Sequence, residues 1–283
     1  MIFTGYVFPD APSISPYLED PHTGPTARFC AALAARLRCY VVAGYPERLP
    51  PCEVETATLE DGRTVERVGA NAAALYGPDG AFVGGYRKTN LYETDMTWAK
   101  PGTGFTTHAL PLPLGPLTLA ICMDLNLRPP ASWASLAAGP YELAEYCVRE
   151  RARVLVLLCA WLDSGEGGEG GEGEKEVDWR TVNYWAMRLR PLWARVREEA
   201  EADADARSDL DSDSGSEDSI PDEANGHGAD QEAGRKAGEE LLVVICNRCG
   251  TENGASFPPF PLSFSLSPFP SLLLPLSFPP LPY

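Results

Sequence analysis

The chain has 283 residues, 44% of them apolar, and a formal net charge of −17. The length suits one large α/β domain or two small ones with a real core, while the charge is local: residues 198–240 hold 16 Asp or Glu against 3 Lys or Arg and carry −13 of the total. The mildly acidic remainder offers no basic surface for nucleic acid, MIFTGYVFPD does not lead a basic stretch into an apolar one as a secretory signal does, and no apolar run reaches the ~20 residues that span a bilayer.

In chain order, TGPTARFCAALAARL predicts a helix, with Pro25 in the first turn and Phe29, Leu33 and Leu37 recurring at i, i+4. CYVVAGY changes the pattern to a short apolar strand. A polar hairpin-like region follows, closed by the turn residues GPDG at Gly77 to Gly80 before the strand AFVGGY. PLTLAIC reads as a buried strand, GPYELAEYCVRERA as a helix with Pro140 near its start, and RVLVLLCAW as another buried strand. DWRTVNYWAMRLRPLWARV places Val182, Trp185, Leu189, Trp193 and Val196 on one helical face, kinked at Pro191. LLVVICN closes the series. Helices alternating with fully apolar strands define an α/β layered fold with helices covering at least one face of the strands; function in such folds sits where loops leave strand ends.

Two kinds of segment fall outside that core. About 165–176 (the GEGGEGGEGEKE tract) and 198–240 are Gly-rich or charged and cannot bury apolar surface, so they read as disordered surface insertions in a domain spanning 1–255. Residues 256–283 form a Pro-rich low-complexity tail; FPPFPLSFSLSPFPSLLLPLSFPPLPY has nine prolines in 27 residues, which forbids a regular helix or a central strand. Apart from the last Tyr it uses only the four amino acids with all-pyrimidine codons, the pattern of a translated, unspliced polypyrimidine tract. A proline-rich SH3-type ligand is the alternative, without a basic residue to orient it.

Eight dispersed cysteines, several in apolar runs, fit a reduced intracellular chain, cytoplasmic or also nuclear. No cofactor or metal is expected: the lone CxxC of Cys246 and Cys249 lacks the two further ligands zinc needs. Of the three histidines, His227 lies in the acidic insert, and His22 and His108 sit in no suggestive context for a Cys–His couple. A different set remains. In YRKTNLYETDMTW, Lys88 follows the strand AFVGGY and precedes Glu93 and Asp95; an ammonium near the thiol of Cys122 in AICMDLN would lower its pKa and hold an oxyanion, with the Met123 N–H as second donor. On spacing alone, a buried structural thiol and an exposed lysine stand beside this reading.

The ordered series GYPER, YRKTNLYETDMTW, AICMDLN, LLCAWL and VVICNRCGTE resembles the nitrilase superfamily of carbon–nitrogen hydrolases. TGYVF and VNYWAMRLRPLW look more narrowly like its fungal branch acting on protein N-terminal asparagine. The resemblance implies an αββα sandwich, a homodimer, no cofactor, and Cys122 as nucleophile, Lys88 stabilising the oxyanion with the Met123 amide, and Asp95 or Glu93 as supporting acid. It makes Cys159 a structural position. The implied substrates are peptides or proteins beginning with Asn or Gln, deamidated to Asp or Glu through a Cys thioester, which feeds an N-terminal degradation pathway.

The family's third catalytic member is a glutamate in a Pro-Glu pair shortly before TGY. Here that position falls immediately before Met1, and neither Glu19 nor Glu47 sits in that context. The expectation is therefore a fold incomplete at both ends and a polypeptide that is inactive as written. A small-molecule amidase or nitrilase of the same fold, and a non-catalytic remnant serving as an interaction surface, are the competing readings.

Overall fold

The computed structural model describes residues 1, 3–163, 178–193 and 241–257, and the backbone of 261–266. The segments expected as insertions at about 165–176 and 198–240, Val196, and residues 267–283 of the tail lie outside the described residues. In chain order the elements are α1 (Ala11–Ile14), a 3₁₀ turn (Ser15–Tyr17), α2 (Pro25–Leu37), β1 (Val41–Arg48), β2 (Glu55–Thr58), β3 (Thr64–Arg67), β4 (Gly69–Tyr76) and β5 (Phe82–Arg87). Then come α3 (Glu93–Met96), β6 (Thr106–Ala109), β7 (Pro116–Ile121), a second 3₁₀ turn (Cys122–Leu125), α4 (Glu142–Arg149), β8 (Val154–Cys159), α5 (Trp179–Arg188), β9 (Leu241–Asn247), β10 (Gly250–Glu252), β11 (Ala255–Phe257) and β12 (Pro261–Leu266).

Two sheets carry the architecture. One is antiparallel in the order β1-β4-β5; the other runs β12-β9-β8-β7-β6, parallel through β7, β8 and β9 and antiparallel at both edges. β4 is buried along its whole length because both its faces are covered. Ala73 and Leu75 face the second sheet, in one cluster with Leu119, Ile121, Leu155 and Leu157, while Ala72, Ala74 and Tyr76 face α2. Leu143 and Cys147 of α4 and Val182 and Trp185 of α5 join the large cluster around β7–β9. The layers are thus helix, sheet, sheet, helices, the αββα sandwich. Among the described residues no helix is long and apolar enough to cross a membrane.

Several sequence expectations shift. Helix α2 does begin with Pro25, and ends with Arg38 in the left-handed region (φ 50°). Its buried face, however, is Ala27, Cys30 and Ala34, while Phe29 and Leu37 are exposed and Leu33 half-buried. Small residues win because they let the helix lie close on the alanines of β4, and large ones would hold it off. Phe29 instead meets Phe3 edge-on at 5.1 Å. Helix α5 buries Val182 and Trp185, with Leu189 buried at its C-cap, as expected; the helix breaks at Leu189 and resumes at Arg190, an interruption beside the expected kink at Pro191, and Trp193 is only partly buried. In the tail, β11 crosses the boundary drawn at residue 255 and buries Phe257. β12 takes an edge position beside β9, with Pro261 as its first residue. That is where a sheet tolerates proline.

Candidate active site

The site grows from the carboxyl end of β7. Its parallel partner β8 sets Leu158 opposite Ile121, so one step further the register brings Cys122 and Cys159 together at adjacent strand ends. Cys122 starts the 3₁₀ turn at φ 48°. A non-glycine residue in this left-handed region costs of order 1–3 kcal/mol and persists only where the surroundings over-determine it.

Asp124 does the determining. Its carboxylate accepts from Ile121 N (2.8 Å), Asn90 N (2.8 Å), Thr89 N (3.2 Å) and the Tyr86 hydroxyl (2.8 Å), all buried. Burial pushes its pKa up even against these donors. Asn90 adds a second tie, its Nδ2 donating to the Met123 carbonyl at 2.7 Å. The segment after β5 and the Cys122–Leu125 turn are therefore locked to each other, which explains why a carboxylate sits in an otherwise apolar run.

Lys88 follows β5 and is 0% exposed, as is Asp95. Lys88 Nζ donates to Asp95 Oδ2 at 2.5 Å. Asp95 also accepts from Asn71 Nδ2 (2.9 Å), Tyr92 N (3.1 Å) and the Tyr6 hydroxyl (3.3 Å), and the ammonium lies 5.9 Å from the Tyr6 ring centre. Burial opposes the lysine's charge, but the Asp95 carboxylate and the Cys122 thiolate outweigh it, and its pKa stands above the ordinary value. Burial pushes the Tyr6 phenol well up, reinforced by Asp95.

The Cys122 thiol is lowered from an ordinary 9.0 to about 7. The hydrogen bond from the Cys159 thiol is the largest cause; burial opposes it, and the Lys88 charge and the Ala160 N–H assist. Burial and the Cys122 sulfur beside it push Cys159 the other way, well up.

The structure thus brings Cys122, Lys88, Met123 and Asp95 together. Between the two expected acids it selects Asp95, since Glu93 is exposed on the surface of α3. Cys159, at the adjacent strand end, acts on the Cys122 thiol electrostatically. Glu19 and Glu47 are both buried but engaged elsewhere, Glu19 with Thr26 N (2.7 Å) and its hydroxyl (2.9 Å), Glu47 with Arg87 (2.6 Å). Among the described residues no glutamate is hydrogen-bonded to Cys122. His22 packs edge-on to Phe82, and His108 lies over Gly84, where a Cβ would come within 2.2 Å of its ring.

Sequence reasoning missed Asp124, Asn71, Asn90 and Tyr6. Asn71 and Asp124 had a signal, a single polar residue inside an apolar or alanine run. A last contact joins distant parts of the described chain: Glu252, the last residue of β10, accepts from Tyr6 N (2.8 Å) and Val7 N (2.9 Å) and pairs with Arg248. The side chain of Tyr6 that reaches Asp95 is positioned this way.

A two-sheet sandwich thus holds a strained cysteine at a strand end, near a buried lysine–carboxylate pair. Residues 2–150 match the carbon-nitrogen hydrolase family model, and the chain belongs to that family. It is 29% identical over 205 residues to a protein N-terminal amidase of Schizosaccharomyces pombe, covering 68% of this chain and 65% of that protein. Against the protein N-terminal amidase of Saccharomyces cerevisiae it is 26% identical over 178 residues, 57% of this chain and 35% of the relative. The chain therefore spans less than two thirds of either relative's length. Solved N-terminal amidase structures share the fold: one with an Asn-Glu-Ala peptide superposes with TM-score 0.57 at 20% identity over 92% of this chain and 78% of that one. Another, with a Gln-Gly peptide, gives 0.58 at 19% over 95% and 80%.

Proposed function

We propose that the chain is an amidohydrolase that deamidates N-terminal Asn and Gln of peptides and proteins to Asp and Glu. The observation that carries the reading is the Cys122 thiol, lowered to about 7 and held at a strained strand end beside the Lys88–Asp95 pair. The curated relatives and the peptide-bearing structures are named N-terminal amidases, which supports the Asn and Gln substrate class over a small-molecule amide or nitrile. A new N-terminal Asp or Glu would then be the product read by a degradation pathway.

The chemistry follows from the geometry. The Cys122 thiolate attacks the side-chain amide carbon, and a C–S bond forms as the carbonyl oxygen takes the negative charge. Lys88 and the Met123 N–H stabilise that oxygen. The C–N bond then breaks, the nitrogen leaves as ammonia with a proton delivered to it, and water hydrolyses the thioester to a carboxylate, returning the thiol. Asp95 holds the Lys88 ammonium in place through its short contact and keeps the site's charge balanced.

The test reads the first half-reaction, because turnover also depends on the base that accepts and returns protons, and no glutamate bonds Cys122 among the described residues. The chain is mixed with an Asn-initiated peptide and its intact mass measured after acid quench. An adduct equal to the peptide less ammonia, absent in Cys122→Ser, supports the reading. An adduct with free asparagine or a nitrile but none with the peptide moves the chain to small-molecule chemistry, and no adduct with any of them leaves the interaction-surface alternative.

A further inference from the structure

We infer that Arg188 is the positioning residue of the nucleophile turn, an inference that rests on Cys122 being the nucleophile. Arg188 is the last residue of α5, 2% exposed, and reaches under the site from outside it. Its Nε donates to the Leu125 carbonyl at 2.8 Å, the last residue of the 3₁₀ turn that Cys122 begins. One terminal nitrogen donates to the Pro140 carbonyl at 2.9 Å, and the other to Glu142 Oε2 at 3.1 Å. Glu142 in turn accepts the Arg128 N–H at 3.2 Å through its other oxygen. A single guanidinium thereby fixes the end of the nucleophile turn, the end of the 126–141 loop and, through Glu142, the start of that loop.

The planar group also lies against two aromatic rings, 5.1 Å from Trp133 and 5.4 Å from Tyr141, in the corner they form by meeting edge-on at 5.6 Å. A buried cation needs such satisfaction on every side, and only the rigid fork of arginine supplies three in-plane donors with two stackable faces. One turn earlier on the same helix, the Tyr184 hydroxyl contacts Asn126 Oδ1 at 2.5 Å. Helix α5 therefore grips the residues on both sides of the turn's exit. Asp124 and Asn90 hold the turn from the β5 side, and Arg188 holds it from the opposite side, so the Cys122 sulfur and the Met123 N–H have one permitted position. Neither the oxyanion nor the attacking sulfur touches Arg188, which acts through the backbone alone.

The experiment compares the full chain with Arg188→Ala and Arg188→Lys. The readouts are kcat and KM on an Asn-initiated peptide, the rate and pH midpoint of Cys122 alkylation by chloroacetamide, and the melting temperature. Displacing a reacting group by about 1 Å costs on the order of a hundredfold. Arg188→Ala is expected to lower kcat roughly ten- to hundredfold with KM changed less than about threefold, and to slow alkylation without moving its pH midpoint. Dilute guanidinium, refilling the corner beside Trp133 and Tyr141, restores most of the rate, while ammonium does not. Arg188→Lys stays slow. An unchanged kcat and alkylation rate in Arg188→Ala, or a loss that guanidinium leaves untouched, overturns the inference. If Arg188→Ala fails to fold, Arg188→Lys decides by the same readouts; failure of both to fold makes the residue structural and also overturns it. Absence of both turnover and the peptide adduct in the unsubstituted chain speaks against the amidase reading alone, because the alkylation comparison still reports on Arg188.

Discussion

Replacing Cys159 with alanine isolates what lowers the nucleophile. The Cys122 thiol sits at about 7, and the Cys159 hydrogen bond is the largest cause. A hydrogen bond to a charged group contributes roughly 1.5–3 kcal/mol, and each ~1.4 kcal/mol is tenfold in an ionisation equilibrium. Removing the donor while Lys88 and the Ala160 N–H remain should therefore move the midpoint up to about 8–9. The sign is definite: the donor favours the thiolate, so its loss favours the neutral thiol. At neutral pH the thiolate fraction falls about five- to fiftyfold. The more basic thiolate is also the better nucleophile, with a Brønsted slope of about 0.4–0.5, so the alkylation rate at pH 7 drops only about two- to sixfold. The midpoint is the sharper readout. The assay is alkylation across pH 5 to 10, with mass spectrometry resolving the Cys122 peptide from the exposed Cys39, Cys52, Cys246 and Cys249. Cys159→Ser keeps a hydroxyl donor and should stay near the native midpoint. A Cys159→Ala profile that superimposes on the native one would refute the reasoning, and so would equal shifts in both variants.

Asp124→Asn puts an amide among four donors and should lower stability by about 3 kcal/mol or more, read from urea midpoints; a change under about 1 kcal/mol contradicts the role given to Asp124. Lys88→Met removes the oxyanion charge and should reduce acyl-enzyme formation by about two to three orders of magnitude, measured by adduct accumulation, with Cys122 alkylation also shifting to higher pH. Gly84→Ala drives a methyl into the His108 ring, an overpacking of roughly 1–3 kcal/mol that differential scanning calorimetry detects, while Gly62→Ala meets no atom within 4 Å and answers only for its positive φ.

The layered α/β order was legible because β7, β8 and β9 are short, wholly apolar runs that only a doubly covered sheet accommodates. Cys122 and Lys88 were legible as a pair by residue type and motif order. The face of α2 was not, since periodicity weights the large Phe29 and Leu37, whereas contact distance selects Ala27, Cys30 and Ala34. Asp95 over Glu93 needed coordinates too: two acids two residues apart in a one-turn helix point to different sides, and only burial tells which side faces Lys88. Cys159 escaped because its role depends on the β7–β8 register, a pairing across 37 positions that no local window contains.

The contact between Glu252 and the backbone of Tyr6 and Val7 joins residues 246 and 245 positions apart. On the ribosome, Lys88, Asp95 and Cys122 all emerge well before Glu252 does. Glu252 can hold the Tyr6 backbone only once β10 has been made, so the surroundings of Cys122 reach their charge arrangement long after Cys122 itself has emerged. A nascent chain holding β1 to β8 would carry the reactive cysteine without the ordered tyrosine beside it.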